Sequence, residues 1–203
     1  MSIDISNVSY LCFRLAPFII VCYFVLQSIL NWDLKGLIYL VGLLFSSVLL
    51  IMLNGPMKYL FQSNFETSIA NPKCIAISIG ENGNMLSNIP LSISVYSYTF
   101  FYLLTFIISL GAEINTSLQQ NIPLLILFPS LILLEYFWLS INNCVIQPYF
   151  YITCSIVVSS LIGVCWSMII ISVKNNDLMY TSKNGIESCS RPSKTLFKCK
   201  PRK

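Results

Sequence analysis

The sequence predicts an all-α, polytopic transmembrane helix bundle of about five spans, followed by a disordered basic tail. Three observations carry that reading. Hydrophobic residues fill 56% of the 203 positions and charged residues only 10%, with a mean hydropathy of +0.74; an ordinary globular chain carries about 25% charged residues. The apolar residues collect in five stretches close to the ~20 residues that a helix needs to cross the hydrocarbon core. Eight of the twelve Lys and Arg residues fall after position 173. Together these exclude a soluble enzyme, a specific nucleic-acid reader and a chain that is disordered throughout.

The expected spans are 15–30, 36–53, 89–110, 122–139 and 150–173. The first is short, but Tyr10, Leu11, Cys12 and Phe13 extend it beyond Arg14, whose long side chain can snorkel to the headgroups. Only Arg14 and Asp4 mark its N-terminal flank and no A-x-A-like site follows it, so it reads as an uncleaved span rather than a signal peptide. The second span is interrupted only by Gly42 and the Ser46–Ser47 pair, small residues that permit close helix contact. The last carries Ser155, Ser159 and Gly163 at fourfold spacing, which places them on one helix face suited to packing within the bundle. The segment 1–173 is therefore one bundle domain and 174–203 its tail.

Between the first two spans, Asn31-Trp32-Asp33-Leu34-Lys35 reads as a tight hairpin with Trp32 at the interface. The second connection, 54–88, opens on Asn54-Gly55-Pro56 and contains Asn71-Pro72 and a Gly80-Glu81-Asn82-Gly83-Asn84 turn cluster. The third, 111–121, carries the acceptor tripeptide Asn115-Thr116-Ser117 on the side where glycosylation is not expected. The fourth, 140–149, is short and polar.

Charge orients the bundle. The tail combines eight basic residues with Asp177 and Glu187, giving +6 against −2 for the remainder. Positive-inside bias puts that tail in the cytoplasm, and five spans then put the N-terminus outside or in the lumen. The tail's most basic stretch holds Lys194, Lys198, Lys200, Arg202 and Lys203, a patch suited to anionic lipid or an acidic protein face. Cys74 and Cys144 both fall in loops on the outer side, where a disulfide between them is compatible with the compartment. Cys22, Cys154 and Cys165 lie within spans as small packing residues, while Cys189 and Cys199 fall in the tail and are expected reduced.

Glu135 is the one acid well inside an apolar run. A carboxylate there is costly and points either to a paired structural role or to a functional site. Arg14 and Lys58 stand at a similar membrane level, so an ion pair with one of them, Arg14 foremost, is the expected arrangement. Tyr136 and Trp138 beside it suit an interfacial depth.

There is no histidine anywhere in the chain. That removes imidazole as nucleophile, general base or metal ligand. With no C-x-x-C, no G-x-S-x-G and no H-E-x-x-H, neither a metal nor another cofactor is expected.

The layout nevertheless resembles one family. In Leu53-Asn54-Gly55-Pro56-Met57-Lys58-Tyr59-Leu60, Lys58 stands where a K-x6-R-P motif begins, with Phe65-Glu66 in place of Arg-Pro. Gly83-Asn84-Met85-Leu86-Ser87-Asn88-Ile89 is similar to a worn G-x-M-P-S-G-H, keeping Ser87. Ser140 looks like the opening of S-R-x5-H-x3-D, with Ile141, Gln147 and Tyr151 in place of Arg, His and Asp. These motifs, on two loops facing one side, resemble the membrane-bound type 2 phosphatidic-acid phosphatases, the lipid phosphate phosphatases. The resemblance implies a six-helix fold and histidine-based phosphate-ester hydrolysis. With Ile89 and Gln147 at the histidine positions, it implies here a catalytically dead scaffold whose residual headgroup site is Lys58, Ser87, Ser140 and Gln147. The 28 Ile and 15 Asn against 4 Ala fit an AT-rich genome, a bias shared by large DNA viruses, some protists and organelles.

The expected role is thus that of a non-enzymatic membrane protein, structural or scaffolding, with no assigned catalytic residue. An active divergent hydrolase would need Ser87, Ser92 or Ser140 as nucleophile. A small channel or transporter subunit would need a solvated pathway past Glu135, and lacks the paired interrupted helices of that class.

Overall fold

In a computed structural model of the chain, the residues described are 5–60, 90–109, 119, 121–141, 148–173, 188–190 and 198–200, with side chains described at 15–56, 90–109, 119, 121–141 and 149–173. Five long helices dominate: α1 (Ile5–Asn31), α2 (Lys35–Leu60), α3 (Leu91–Ser109), α4 (Ile122–Ile141) and α5 (Pro148–Ser172). The all-α bundle expected from composition is what forms. Four of the helices, α2 to α5, are long and apolar enough to cross a membrane. The described apolar part of α1, Leu15–Asn31, is shorter, although the whole helix has 27 residues and reaches about 40 Å at 1.5 Å per residue.

Helix boundaries follow local chemistry. α1 stops in a Schellman arrangement: the Asp33 N–H donates to Ser28 O at 3.1 Å and the Trp32 N–H to Ile29 O at 3.4 Å. Trp32 takes the left-handed position, φ 53°, that glycine usually fills, and its ring is almost wholly exposed. The Ser28 hydroxyl also donates to the Asp33 carbonyl, and Lys35 pairs with Asp33 at 3.8 Å. The three-residue turn therefore makes the tight α1–α2 hairpin. Asn121 leads into α4, its carbonyl accepting from Leu124 N–H at 3.0 Å, and Pro123 sits in the first turn, where no intrahelical donor is needed. Pro148 opens α5 for the same reason.

One boundary differs from expectation. The turn signal Asn54-Gly55-Pro56 predicts the start of a loop, yet α2 continues through it to Leu60. Pro56 removes one backbone donor, but a helix still satisfies the surrounding peptide groups better than open backbone beside lipid. Pro17 and Pro129 lie inside α1 and α4 under the same constraint.

Paired contacts give the topology. Pro90 with Ser155, Ser94 with Ser159 and Tyr98 with Gly163 keep a constant offset, so α3 and α5 run parallel. Ile38 meets Trp166 while Ser46 meets Ser159, so α2 is antiparallel to α5. Ser92 meets Glu135 and Phe100 meets Phe128, so α4 is antiparallel to α3. The five helices alternate in direction. The start of α1, the end of α2, the start of α3, the end of α4 and the start of α5 lie together at one end, and the tail leaves from the other.

The core sits where α2, α3 and α5 meet. Tyr39, Tyr96, Tyr98, Tyr102 and Phe106 are fully buried there. Tyr98 and Tyr102 stack at 5.7 Å, with Tyr102 edge-on to Phe106 at 4.9 Å. The outer surface is apolar: Phe18 and Leu26 on α1, Val41 and Phe45 on α2, Ile126 and Leu133 on α4, and Leu161 and Ile169 on α5 are all exposed. Such a surface fits an integral multi-pass membrane protein.

In the tail, two three-residue strands, β1 (Ser188–Ser190) and β2 (Lys198–Lys200), pair antiparallel. Tail composition alone gives no reason to expect this pairing.

Candidate functional site

The small residues spaced along the second and fifth spans do bring helices together. A Cβ on Gly163 would stand 2.8 Å from the Tyr98 carbonyl, and Ser155 and Ser159 are fully buried against α3. A Cβ on Gly42 would collide with the Tyr98 hydroxyl and lie 2.6 Å from Trp166 Cδ1. Because Gly42 has no side chain, two neighbouring helices reach over it to α2 backbone. Trp166 Nε1–H donates to Ile38 O at 3.0 Å, and the Tyr98 hydroxyl to Tyr39 O at 3.3 Å.

A hydroxyl chain crosses the three-helix junction. Ser46 donates to Ser159 at 3.4 Å and Ser159 to Ser94 at 2.7 Å, all three fully buried. Tyr39 and Thr99 share a hydrogen bond of 2.7 Å, and Thr99 in turn donates to Val95 O at 2.6 Å. At the α3–α5 entrance, Ser155 donates to Pro90 O at 3.1 Å. The hydroxyls of the outer faces behave differently. Ser130, Thr153 and Ser160 donate to carbonyls three or four residues back in their own helices. That closes a polar group against lipid without any tertiary partner.

Glu135 lies at the end of the bundle where the connections 61–89 and 142–147 attach. It is 7% exposed, and its Oε1 accepts from the Ser92 hydroxyl at 2.7 Å across the α3–α4 interface. By sequence Ser92 is no more than a weak candidate nucleophile; in the bundle it hydrogen-bonds the embedded acid. The antiparallel pairing of spans three and four puts the two residues at one membrane level, which is the signal that could have matched them. Tyr96 follows one turn after Ser92 on the same face and is fully buried; among the described residues its hydroxyl and Asn54 Oδ1 have no hydrogen-bond partner. A serine beside a carboxylate lacks the intervening imidazole that makes a serine nucleophilic, and the chain has no histidine to supply it.

Lys58 is in the last turn of α2 and Ser140, half-buried, in the last turn of α4, so both stand at the Glu135 end of the bundle. The side chains of Lys58 and Arg14 lie outside the described residues, as do Ser87, Gln147, Cys74 and Cys144. In the tail, Lys194, Arg202 and Lys203 lie outside them as well, whereas Lys198 and Lys200 are on β2. Cys22, Cys154 and Cys165 are free thiols; the first two are half-buried and Cys165 faces outward. Among the described residues no group of three Cys, Asp or Glu side chains is placed to hold a metal.

Compared with protein families, with curated proteins and with solved structures, this chain matches none.

Proposed function

We propose that the chain is a non-enzymatic membrane protein, a structural or scaffolding component working through its helix bundle and its basic tail. The N-terminus is outside or lumenal in this reading, and residues 174–203 are cytoplasmic. The observation that supports it best is the use made of Glu135. The acid most suggestive of a site is enclosed between α3 and α4 and bonded to Ser92. The buried hydroxyls of Ser46, Ser94 and Ser159 are likewise spent on joining helices. The tail, at +6, supplies the outward-facing part. Attraction to an anionic bilayer contributes about 1 kcal/mol per basic residue held near the surface.

The test uses the full chain reconstituted in phosphatidylcholine vesicles and offered phosphatidylserine vesicles. Capture of the second population should be strong at low salt and fall steeply as salt rises, because exposed charges are screened within about 10 Å at 0.1 M. Capture that is absent or indifferent to salt overturns the role of the tail. Release of phosphate from phosphatidic acid by the purified protein overturns the non-enzymatic reading. The Glu135→Gln variant keeps an acceptor for Ser92 and should change neither folding nor capture.

A second reading, kinship with the lipid phosphate phosphatases in a form without catalytic residues, draws support from the common end shared by Lys58 and Ser140. Lys58 would then hold a phosphate headgroup. Weaker binding of phosphatidic acid by Lys58→Ala, with phosphatidylcholine binding unchanged, is the result that favours it; equal binding by both proteins removes it.

A further inference from the structure

The two tail cysteines are brought together by backbone pairing. Cys189 is the central residue of β1 and Cys199 that of β2, and the antiparallel register makes them direct partners, with Ser188 opposite Lys200 and Ser190 opposite Lys198. Directly opposed residues in an antiparallel pair have Cα atoms about 4.5 to 5.5 Å apart, depending on whether the pair is hydrogen-bonded. A disulfide needs a Cα separation of about 4.4 to 6.8 Å. Both kinds of pair fall inside that window, so the register alone brings the two residues within bonding range.

Ribbon stability points the same way. A two-stranded ribbon is marginal in water even when it is longer than three residues a strand. This one is flanked by polar and basic residues, Lys194, Arg191 and Arg202 among them, with little apolar surface to bury. A covalent tie at its centre supplies what such a ribbon lacks, by restricting the open forms of the intervening loop.

We propose that Cys189 and Cys199 form a dithiol–disulfide pair that closes the tail hairpin. The inference is independent of the scaffold reading. With glutathione disulfide as oxidant, the thiolate of one cysteine attacks its S–S bond, forming a mixed disulfide and releasing one glutathione. The thiolate of the other cysteine then attacks the protein sulfur of that mixed disulfide, forming the Cys189–Cys199 bond and releasing the second glutathione. Two protein thiols are oxidised and one glutathione disulfide is reduced to two glutathione molecules, whose sulfurs take up the two protons. On the cytoplasmic side assigned from charge, such a bond is a reversible one, made under oxidising conditions and undone by glutathione.

The experiment equilibrates the purified full chain in mixtures of reduced and oxidised glutathione, quenches with acid, alkylates the remaining thiols and maps the cysteines by mass spectrometry after digestion. Oxidation should yield a peptide pair linked through Cys189 and Cys199, two hydrogens lighter than the separate peptides and free of glutathione. The single variants Cys189→Ser and Cys199→Ser should each accumulate glutathione on the remaining cysteine under the same conditions. Both substitutions lie outside the bundle, so its folding is not in question. Stable glutathione adducts on both tail cysteines of the unaltered chain overturn the proposal. So does alkylation of both under oxidising conditions, or a bond from either to Cys74, Cys144 or a second chain.

Discussion

Helices α3 and α4 have similar lengths, and α4 is the more apolar, yet they occupy opposite places in the bundle. Over 18 residues of each helix, 56% are buried in α3 against 17% in α4. α3 carries Ser92, Ser94, Ser97 and Thr99, with Tyr96, Tyr98 and Tyr102 among them; α4 offers mainly Leu, Ile and Phe. In water the greasier helix would be the inner one. In a bilayer lipid solvates apolar side chains as well as protein does, so burial of Leu or Ile gains little. What gains from a neighbouring helix is a hydroxyl that needs a partner, or a small residue that lets backbones touch. The polar helix therefore becomes the core and the apolar helix its periphery.

The contrast is most vulnerable at Gly163. Leucine there must place its Cβ against the Tyr98 carbonyl, a backbone atom that cannot rotate away. We expect a loss of about 3 kcal/mol, the upper end of what overpacking costs, read as loss of the monodisperse peak and a lower thermal midpoint in detergent. Gly42→Ala comes next, at about 2 kcal/mol. It pushes aside Tyr98 and Trp166, so the Trp166 fluorescence should shift along with stability. Ser159→Ala removes the central link between Ser46 and Ser94. Interhelical hydrogen bonds in membranes average about 0.6 kcal/mol with a maximum near 1.7, so a loss of about 1 kcal/mol is expected in reversible unfolding. The smallest effect belongs to α4. Ile126→Ala on its exposed face should alter stability by less than about 0.5 kcal/mol. A cost equal to that of Ser159→Ala would show that α4 faces protein rather than lipid.

Much of this arrangement is legible along the chain. The stripe Ser155, Ser159, Gly163 and the breaks at Gly42 and Ser46 are visible by spacing, and they are the residues on which α2, α3 and α5 meet. Their partners on α3 are less legible. Ser94 and Tyr98 belong to a span crowded with hydroxyls, and nothing in one helix says which of them faces another. Glu135 illustrates the same limit. Its cost in an apolar run announces that it needs a partner, and charge suggests Arg14 or Lys58. The side chains of Arg14 and Lys58 lie outside the described residues, and the hydrogen bond from Ser92 depends on which helix lies alongside α4, which is a property of packing. The turn signal at Asn54-Gly55-Pro56 misleads for a related reason, since its residues favour a break in water but not beside lipid.

The class of molecule, the approximate spans, the basic tail and the absence of imidazole chemistry all follow from the residues in order, because each depends on composition or on a run along one chain. Packing was needed to make α3 central and parallel to α5, to set Ser92 against Glu135, and to face Cys189 with Cys199 across a ladder. Those are pairings between distant segments. Lipid is indifferent to which apolar face it covers, so the choice falls to a few glycines and hydroxyls whose partners appear only when the helices are side by side.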